Sequence, residues 1–337
     1  HRRLPAVIPT PPVSASPFPN PKSQYCCLSR NFSAALTPLL PVQLPSRMET
    51  HLWYVVPDEV KSAPLLSKYM ELLPQSERDH VLGFRGDQLQ KSALLARTLV
   101  RTTIARYQVD GHLDPRSLRF KRNIHGKPEV EWETKDGFCP PPLQFNISHT
   151  SSLVACGVTM NSLIGIDVEE KRRRTKNNIL AFAKRYFTAH EVEHLNAIPD
   201  SELQQQEFIK LWTLKEAYVK ALGKGFSSSP FNTFTIRVNT AAQESFCLVK
   251  ARKEASSGIA VETLDSPQNL TNNWQFALLE LMGSHYVAIC LERQETGGAG
   301  KAFPIKLTAR KTIPSVEDEL VSGTNAVVTI GGSVTQF

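Results

Sequence analysis

The stretch Gly165-Ile-Asp-Val-Glu-Glu170 sets two carboxylates, Asp167 and Glu169, two residues apart. On a strand, alternate residues project from the same face, so both acids would leave it together. Like charges that close repel unless a cation lies between them, and hard Mg²⁺ is held through a few carboxylates with water and substrate phosphates. A third acid, Glu216, lies in Trp212-Thr-Leu-Lys-Glu-Ala-Tyr-Val-Lys220, whose spacing is helical. Lys220, one turn later on the same face, offers an ammonium for a phosphate oxygen. Each signal alone is weak. Solvated strand-end acids give Asp-x-Glu, and an exposed i,i+4 pair of Glu216 with Lys220 contributes only about 0.2–0.5 kcal/mol to a helix.

Other candidate groups precede these. Phe145-Asn-Ile-Ser-His-Thr150 brings Ser148 next to His149, but neighbours on a strand face opposite sides and cannot form a nucleophile and base dyad. A phosphate-contacting histidine at a strand end suits the pattern better. Phe120-Lys-Arg-Asn-Ile-His-Gly-Lys-Pro128 supplies Lys121, Arg122, His125 and Lys127 around a Gly-Pro turn, a basic loop suited to anions, although a solvated loop gives the same pattern. Arg97 falls near the apolar side of a long helical segment, where a guanidinium needs an anion.

Composition narrows the classes. The chain has 337 residues and a formal net charge of +7. Residues 1–48 hold Arg2, Arg3, Lys22, Arg30 and Arg47 and no acid, which is +5. The remaining 34 basic and 32 acidic residues leave only +2. A near-neutral body without a recognised binding motif argues against a nucleic-acid-binding module. The first 48 residues also contain ten of the 23 prolines and many serines, so they are expected to be disordered and transit-peptide-like, directing the protein to a mitochondrion or plastid, with a cytosolic form possible from Met48. No apolar run reaches the length of a bilayer span. Cys26 and Cys27 fall in the leader-like stretch, and Cys139, Cys156, Cys247 and Cys290 lack metal-ligand spacing, which favours buried free thiols.

The elements that must position these groups can be read between the tails. His51–Val56 is a β-rich run, and a long amphipathic helix starts at Asp87, read as its cap. Strands follow at 143–149, 153–159 and 162–169. A helix then spans Ile179–Phe187, a capping box pairs Thr188 with Glu191, and a second pairs Ser201 with Gln204 before a long helix that Gly223 ends. Strands at 234–238, 245–253 and around Gly283 close the pattern. The expected class is α+β: two lobes, 49–160 and 161–293, each with a small sheet and a long helix. From 294 to 337, Gly- and Thr-rich sequence predicts a poorly ordered tail.

In this order, Gly126-Lys-Pro128, Phe145–His149, Gly165–Glu170, Lys184–Glu191 and Phe208–Gly225 resemble the Sfp-type 4'-phosphopantetheinyl transferases. The resemblance covers roughly residues 50–292, and the block ending Lys-Ala-Leu-Gly-Lys-Gly is its most specific part. It implies two pseudo-symmetric lobes with coenzyme A between them and Mg²⁺ on its pyrophosphate. A serine of an apo acyl or peptidyl carrier protein would accept the phosphopantetheine arm, with 3',5'-ADP leaving a monomeric enzyme. Residue by residue, Asp167, Glu169 and Glu216 match the metal-binding acids, with Glu216 also the candidate base. Lys220 matches the phosphate lysine. Arg97, Arg122 and His149 match positions facing the nucleotide's 3'-phosphate, with Ser148 and Lys127 beside the nucleotide. A metal-dependent phosphodiesterase or nuclease would use the same acids and lysine, and remains the alternative alongside a basic nucleic-acid-binding module.

Overall fold

The computed structural model describes residues 36, 39–47, 49–107, 113–132, 142–173, 178–239, 258–263, 273–293 and 304–337. Residues 1–35, 37, 38 and Met48 of the leader-like stretch, the whole 245–253 strand expectation, Cys139 and Cys247 lie outside them. The class is α+β.

The first half runs β1 (Glu49–Val55), α1 (Ala63–Glu71), α2 (Gln75–Leu82), α3 (Asp87–Ala105), the hairpin β2 (Arg119–Arg122) and β3 (Pro128–Glu131), then β4 (Leu143–His149) and β5 (Val154–Met160). The second half runs β6 (Ile164–Glu170), α4 (Ile179–Tyr186), α5 (Ala189–Asn196), α6 (Ser201–Leu222), β7 (Phe234–Asn239), β8 (Gly258–Thr263), β9 (Trp274–Leu281) and β10 (His285–Glu292). Each half repeats one plan: a strand, a long helix, then a hairpin whose second strand pairs antiparallel with the first strand. Thus β1 pairs β5, which pairs β4; β6 pairs β10, which pairs β9.

The two sheets face each other across a shared apolar layer. Leu52 and Tyr54 of β1 meet Ile164, Ile166 and Val168 of β6 with Val287 and Ile289 of β10. The intervening β1 residues, Trp53 and Val55, pack under α3 with Leu95 and Leu99. Burial on both faces explains why β1 reads as continuous apolar sequence instead of alternating. On the far side of the second sheet, α6 lies over Leu278, Ala288 and Cys290. Among the described cysteines, Cys156 and Cys290 are free and buried.

The expectation of a poorly ordered tail is corrected for residues 304–337, while 294–303 lie outside the described residues. Four strands form there: β11 (Ile305–Ile313), β12 (Glu317–Leu320), β13 (Val327–Gly331) and β14 (Val334–Gln336). β11 lies parallel to β1 and β13 antiparallel to β9, so this one segment extends both sheets. The physical signal was the alternation Ile305, Leu307, Ala309, all fully buried, against Lys306 on the open face. Two cap assignments also change. The residue before α3 is Gly86, without a side-chain cap, and Asp87 is the first helical residue. Asp200, not Ser201, caps α6, its Oδ1 accepting from Glu202 N and Leu203 N. The Thr188–Glu191 box and the left-handed Gly223 at the end of α6 are present as read.

Candidate active site

Along the buried middle of α6, Trp212, Glu216 and Lys220 are the positions at spacing of four that stay partly open, while Leu211, Thr213, Leu214, Lys215, Ala217, Tyr218 and Val219 are buried. This stripe runs past β6, and the helix approaches that strand closely because of Gly165. A Cβ on Gly165 would lie 2.0 Å from Ala217 O and 2.3 Å from Ala221 N. Only glycine admits this approach, which brings Glu216 and Lys220 to the acids of β6.

Asp167 is 5% exposed. Its Oδ1 accepts from Lys220 Nζ at 2.7 Å and from Ser148 Oγ at 2.9 Å. Ser148 in turn accepts from Lys220 Nζ at 3.0 Å and from Val168 N at 3.2 Å. One residue pair earlier, Asn146 Oδ1 accepts from Ile166 N at 2.9 Å. Side chains of β4 thus satisfy the open edge of β6, and the two lobes meet at the acids.

The carboxylates crowd one another. Glu216 is pushed up to about 7, by burial first and then by the charge of Asp167, with Lys220 pulling the other way. Glu169 is also raised, by burial and then by Asp167, while Arg173 opposes the shift through a hydrogen bond to Glu169 Oε1. Asp167 Oδ2 is buried and has no hydrogen-bond partner. A desolvated carboxylate oxygen without a donor, beside two acids made reluctant to ionise, is the donor chemistry a hard divalent cation satisfies. Yet among the described residues no group of three or more His, Cys, Asp or Glu side chains is already arranged to hold an ion. Glu169 is engaged by Arg173 and Asp167 Oδ1 by Lys220 and Ser148, so filling the site requires these cations to turn aside.

The remaining residues singled out in the sequence divide. His149 is exposed on the face opposite Ser148, and its pKa is lowered by partial burial and then by Lys220, with Arg97 adding to the effect. It lines an open polar cleft of about 320 Å³ with Thr150, Ser151, Glu169, Glu170 and Arg173. Arg97 is half-buried; its Nη1 donates to Ala93 O, and its pKa is lowered by burial and by the neighbouring Arg122 and Arg101 against Glu77. Arg122 donates to Gly126 O within its own loop. The Lys127 ammonium stands apart from the acids, donating to Ile164 O at 2.9 Å at the start of β6, with its pKa lowered by burial. Ser148 belongs to the acid cluster. The basic loop is docked by Asn123, whose Nδ2 donates to Gly223 O at 2.9 Å at the end of α6.

Sequence reasoning reads the run Arg172–Arg174 as a solvated turn or a rim for an acidic carrier protein and does not place Arg173 at the acids, where it stacks over Trp212 at 5.9 Å, nor does it find the role of Lys215. Lys215 is fully buried and structural: it pairs with Glu191 Oε2 at 2.9 Å and donates to Phe231 O and Phe234 O.

Comparison with known proteins agrees with this geometry. A family model described as the 4'-phosphopantetheinyl transferase superfamily matches residues 163–290, and one described as 4'-phosphopantetheinyl transferase, N-terminal, matches 61–160. The chain is similar to the 4'-phosphopantetheinyl transferase HetI of a Nostoc species, 31% identical over 53% of this chain and 70% of that protein. It is 34% identical to the 4'-phosphopantetheinyl transferase Sfp of Bacillus subtilis over 53% of this chain and 72% of Sfp. A phosphopantetheinyl transferase of Thraustochytrium is 28% identical over 67% of this chain and 72% of that protein. With both lobes matched in order and the acids and lysine gathered where those lobes join, the chain belongs to the 4'-phosphopantetheinyl transferase superfamily.

Proposed function

We infer that the chain transfers the 4'-phosphopantetheine arm of coenzyme A to a serine of an apo acyl or peptidyl carrier protein, releasing 3',5'-ADP, with Mg²⁺ held by Asp167, Glu169 and Glu216. The observation that carries the site assignment is the buried, partnerless Asp167 Oδ2 beside Glu169 and Glu216, both pushed toward their protonated forms by burial and by the charge of Asp167. Mg²⁺, when bound, neutralises charge on the pyrophosphate oxygens.

The chain's own residues do the rest. Lys220, 2.7 Å from Asp167, reaches the phosphates with its ammonium and balances the charge gathered on the bridging oxygen as the bond to 3',5'-ADP breaks. Glu216, held about 7 before the metal arrives, takes the proton of the attacking serine hydroxyl, directly or through water. The new bond joins that serine oxygen to the phosphorus bearing pantetheine, and the electron pair of the broken bond leaves with 3',5'-ADP. Burial and the nearby charge of Arg122 lower the proton affinity of Arg97, which favours an anion beside the two guanidinium groups, and His149 lies near enough to feel the charge of Arg97; these bind the nucleotide's 3'-phosphate. Both sides of the cleft come from one chain, which supports a monomeric enzyme. A phosphodiesterase would direct a water at the same phosphate and leave the carrier unmodified. Incubating the protein with coenzyme A, Mg²⁺ and an apo carrier protein, then weighing the carrier, separates the readings: one added phosphopantetheine arm on serine supports transfer, and hydrolysed coenzyme A with an unchanged carrier overturns it.

A further inference from the structure

The turn between β4 and β5 closes on itself: Thr150 N donates to Leu153 O at 2.8 Å, and Thr150 Oγ1 accepts from Leu153 N at 3.1 Å. It belongs to the first sheet and carries His149, Thr150 and Ser151 into the cleft wall. The second sheet presents Glu170, at the end of β6, directly opposite His285, at the start of β10. Ser152 Oγ donates to Glu170 Oε1 at 2.6 Å, and Ser151 Oγ donates to the same oxygen at 3.0 Å.

These bonds fix the rest of the chain of donors. With its one proton committed to Glu170, Ser152 Oγ can only accept, so His285 Nε2, 2.9 Å away, carries the hydrogen. His285 Nδ1 then accepts from Ser284 Oγ at 2.9 Å. Burial lowers the pKa of His285, which is 4% exposed, in keeping with a neutral ring. Donation runs from Ser284 through His285 and Ser152 into a carboxylate whose pKa is itself lowered chiefly by Ser152. Ser152 is no nucleophile in this arrangement, because its proton points to Glu170 and not to the imidazole.

We propose that Ser152, Glu170 and His285 form a latch across the lobe junction that holds the 150–153 turn and so sets His149 for the nucleotide of coenzyme A. They act as positioning residues, through His149, and the proposal rests on the transfer reading above. Without the latch the turn is tied to the second sheet only through its neighbours, so the loss falls on coenzyme A binding and not on chemistry or on carrier recognition.

Ser152→Ala in the full chain tests this, with coenzyme A and carrier varied separately in steady-state transfer. Expected is a rise in the coenzyme A KM of about 3- to 10-fold, the range for a lost hydrogen bond, with kcat and the carrier KM within about twofold. Ser152→Thr, which keeps the hydroxyl, should recover the wild-type KM. In the double variant with His149→Ala, the coenzyme A KM should match that of His149→Ala alone, because both changes remove one function. Should Ser152→Ala fail to fold, Glu170→Met, which removes the accepting oxygen at similar length, carries the same expectation. A lower melting temperature with unchanged coenzyme A KM, or additive effects in the double variant, overturns the latch. A wild-type protein that fails to bind coenzyme A overturns the transfer reading and the latch with it, whereas unaffected variants of an active wild type overturn the latch alone.

Discussion

Lys220 Nζ stands 2.7 Å from Asp167 Oδ1, joining two residues 53 positions apart and two elements, α6 and β6, that touch closely only because residue 165 is glycine. In the proposed reaction a phosphate and a metal replace that contact. Lys220→Ala is therefore expected to lower transfer by about 10²-fold or more, by loss of charge stabilisation at the phosphates. Wild-type turnover of a carrier protein by the variant would contradict the role.

Glu216 sets a pH dependence. In the metal-free protein its folded pKa of about 7 lies above the unfolded value of 4.5. The native state thus binds the proton more tightly, and the stability this gives is present below pH 4.5 and lost as pH rises through 7. Melting temperatures of the metal-free protein should fall over that window by more in the wild type than in Glu216→Gln, which cannot ionise. Added Mg²⁺ should raise the wild-type melting temperature more at pH 8 than at pH 6. Parallel curves for the two proteins would remove Glu216 from the cluster.

Gly165→Ala places a methyl group 2.0 Å from the carbonyl oxygen of Ala217. Backbone must move to admit it, so destabilisation of about 1–3 kcal/mol is expected, with transfer reduced beyond what the remaining folded fraction explains. Chemical denaturation and transfer assays on the same sample test both parts.

Lys215 and Glu191 are each fully buried and pair at 2.9 Å. Burial pulls Lys215 down to about 8 against the attraction of Glu191. Lys215→Met leaves Glu191 buried without its cation, though still accepting from Thr188 N and Ile236 N, and is expected to destabilise by about 3–5 kcal/mol. Urea unfolding measures it; a change under about 1 kcal/mol would mean that the pair contributes little.

The sequence disclosed most of what repeats locally. Helical spacing placed α3 and α6, Gly223 marked the end of α6, and period-two acids placed Asp167 and Glu169 on one strand. What it could not disclose depends on distant partners. Lys215 sits next to Glu216 in sequence, but only the packing of α5 and β7 shows that one is structural while its neighbour opens to the cleft. Lys127 looks as well placed as Arg122 in the basic loop, until the fold directs its ammonium to Ile164 O. β11 was obscured by flanking Gly- and Thr-rich sequence, and its short alternating run gains meaning only beside β1. Arg173 belongs to a basic run that reads in the sequence as a solvated turn or a rim for an acidic partner; its contacts with Glu169, four residues back, and with Trp212 arise from a turn and a helix that meet in space.

The central claim is that Asp167, Glu169 and Glu216 converge on one divalent cation that grips a diphosphate. A crystal structure of the protein soaked with coenzyme A and Mn²⁺, with the ion located by its anomalous signal, tests it most directly. The account predicts one ion bound by oxygens of all three residues and by the pyrophosphate, with Arg173 moved off Glu169 and Lys220 turned to a phosphate. Coenzyme A bound with these carboxylates unliganded, or the ion held elsewhere, would contradict it.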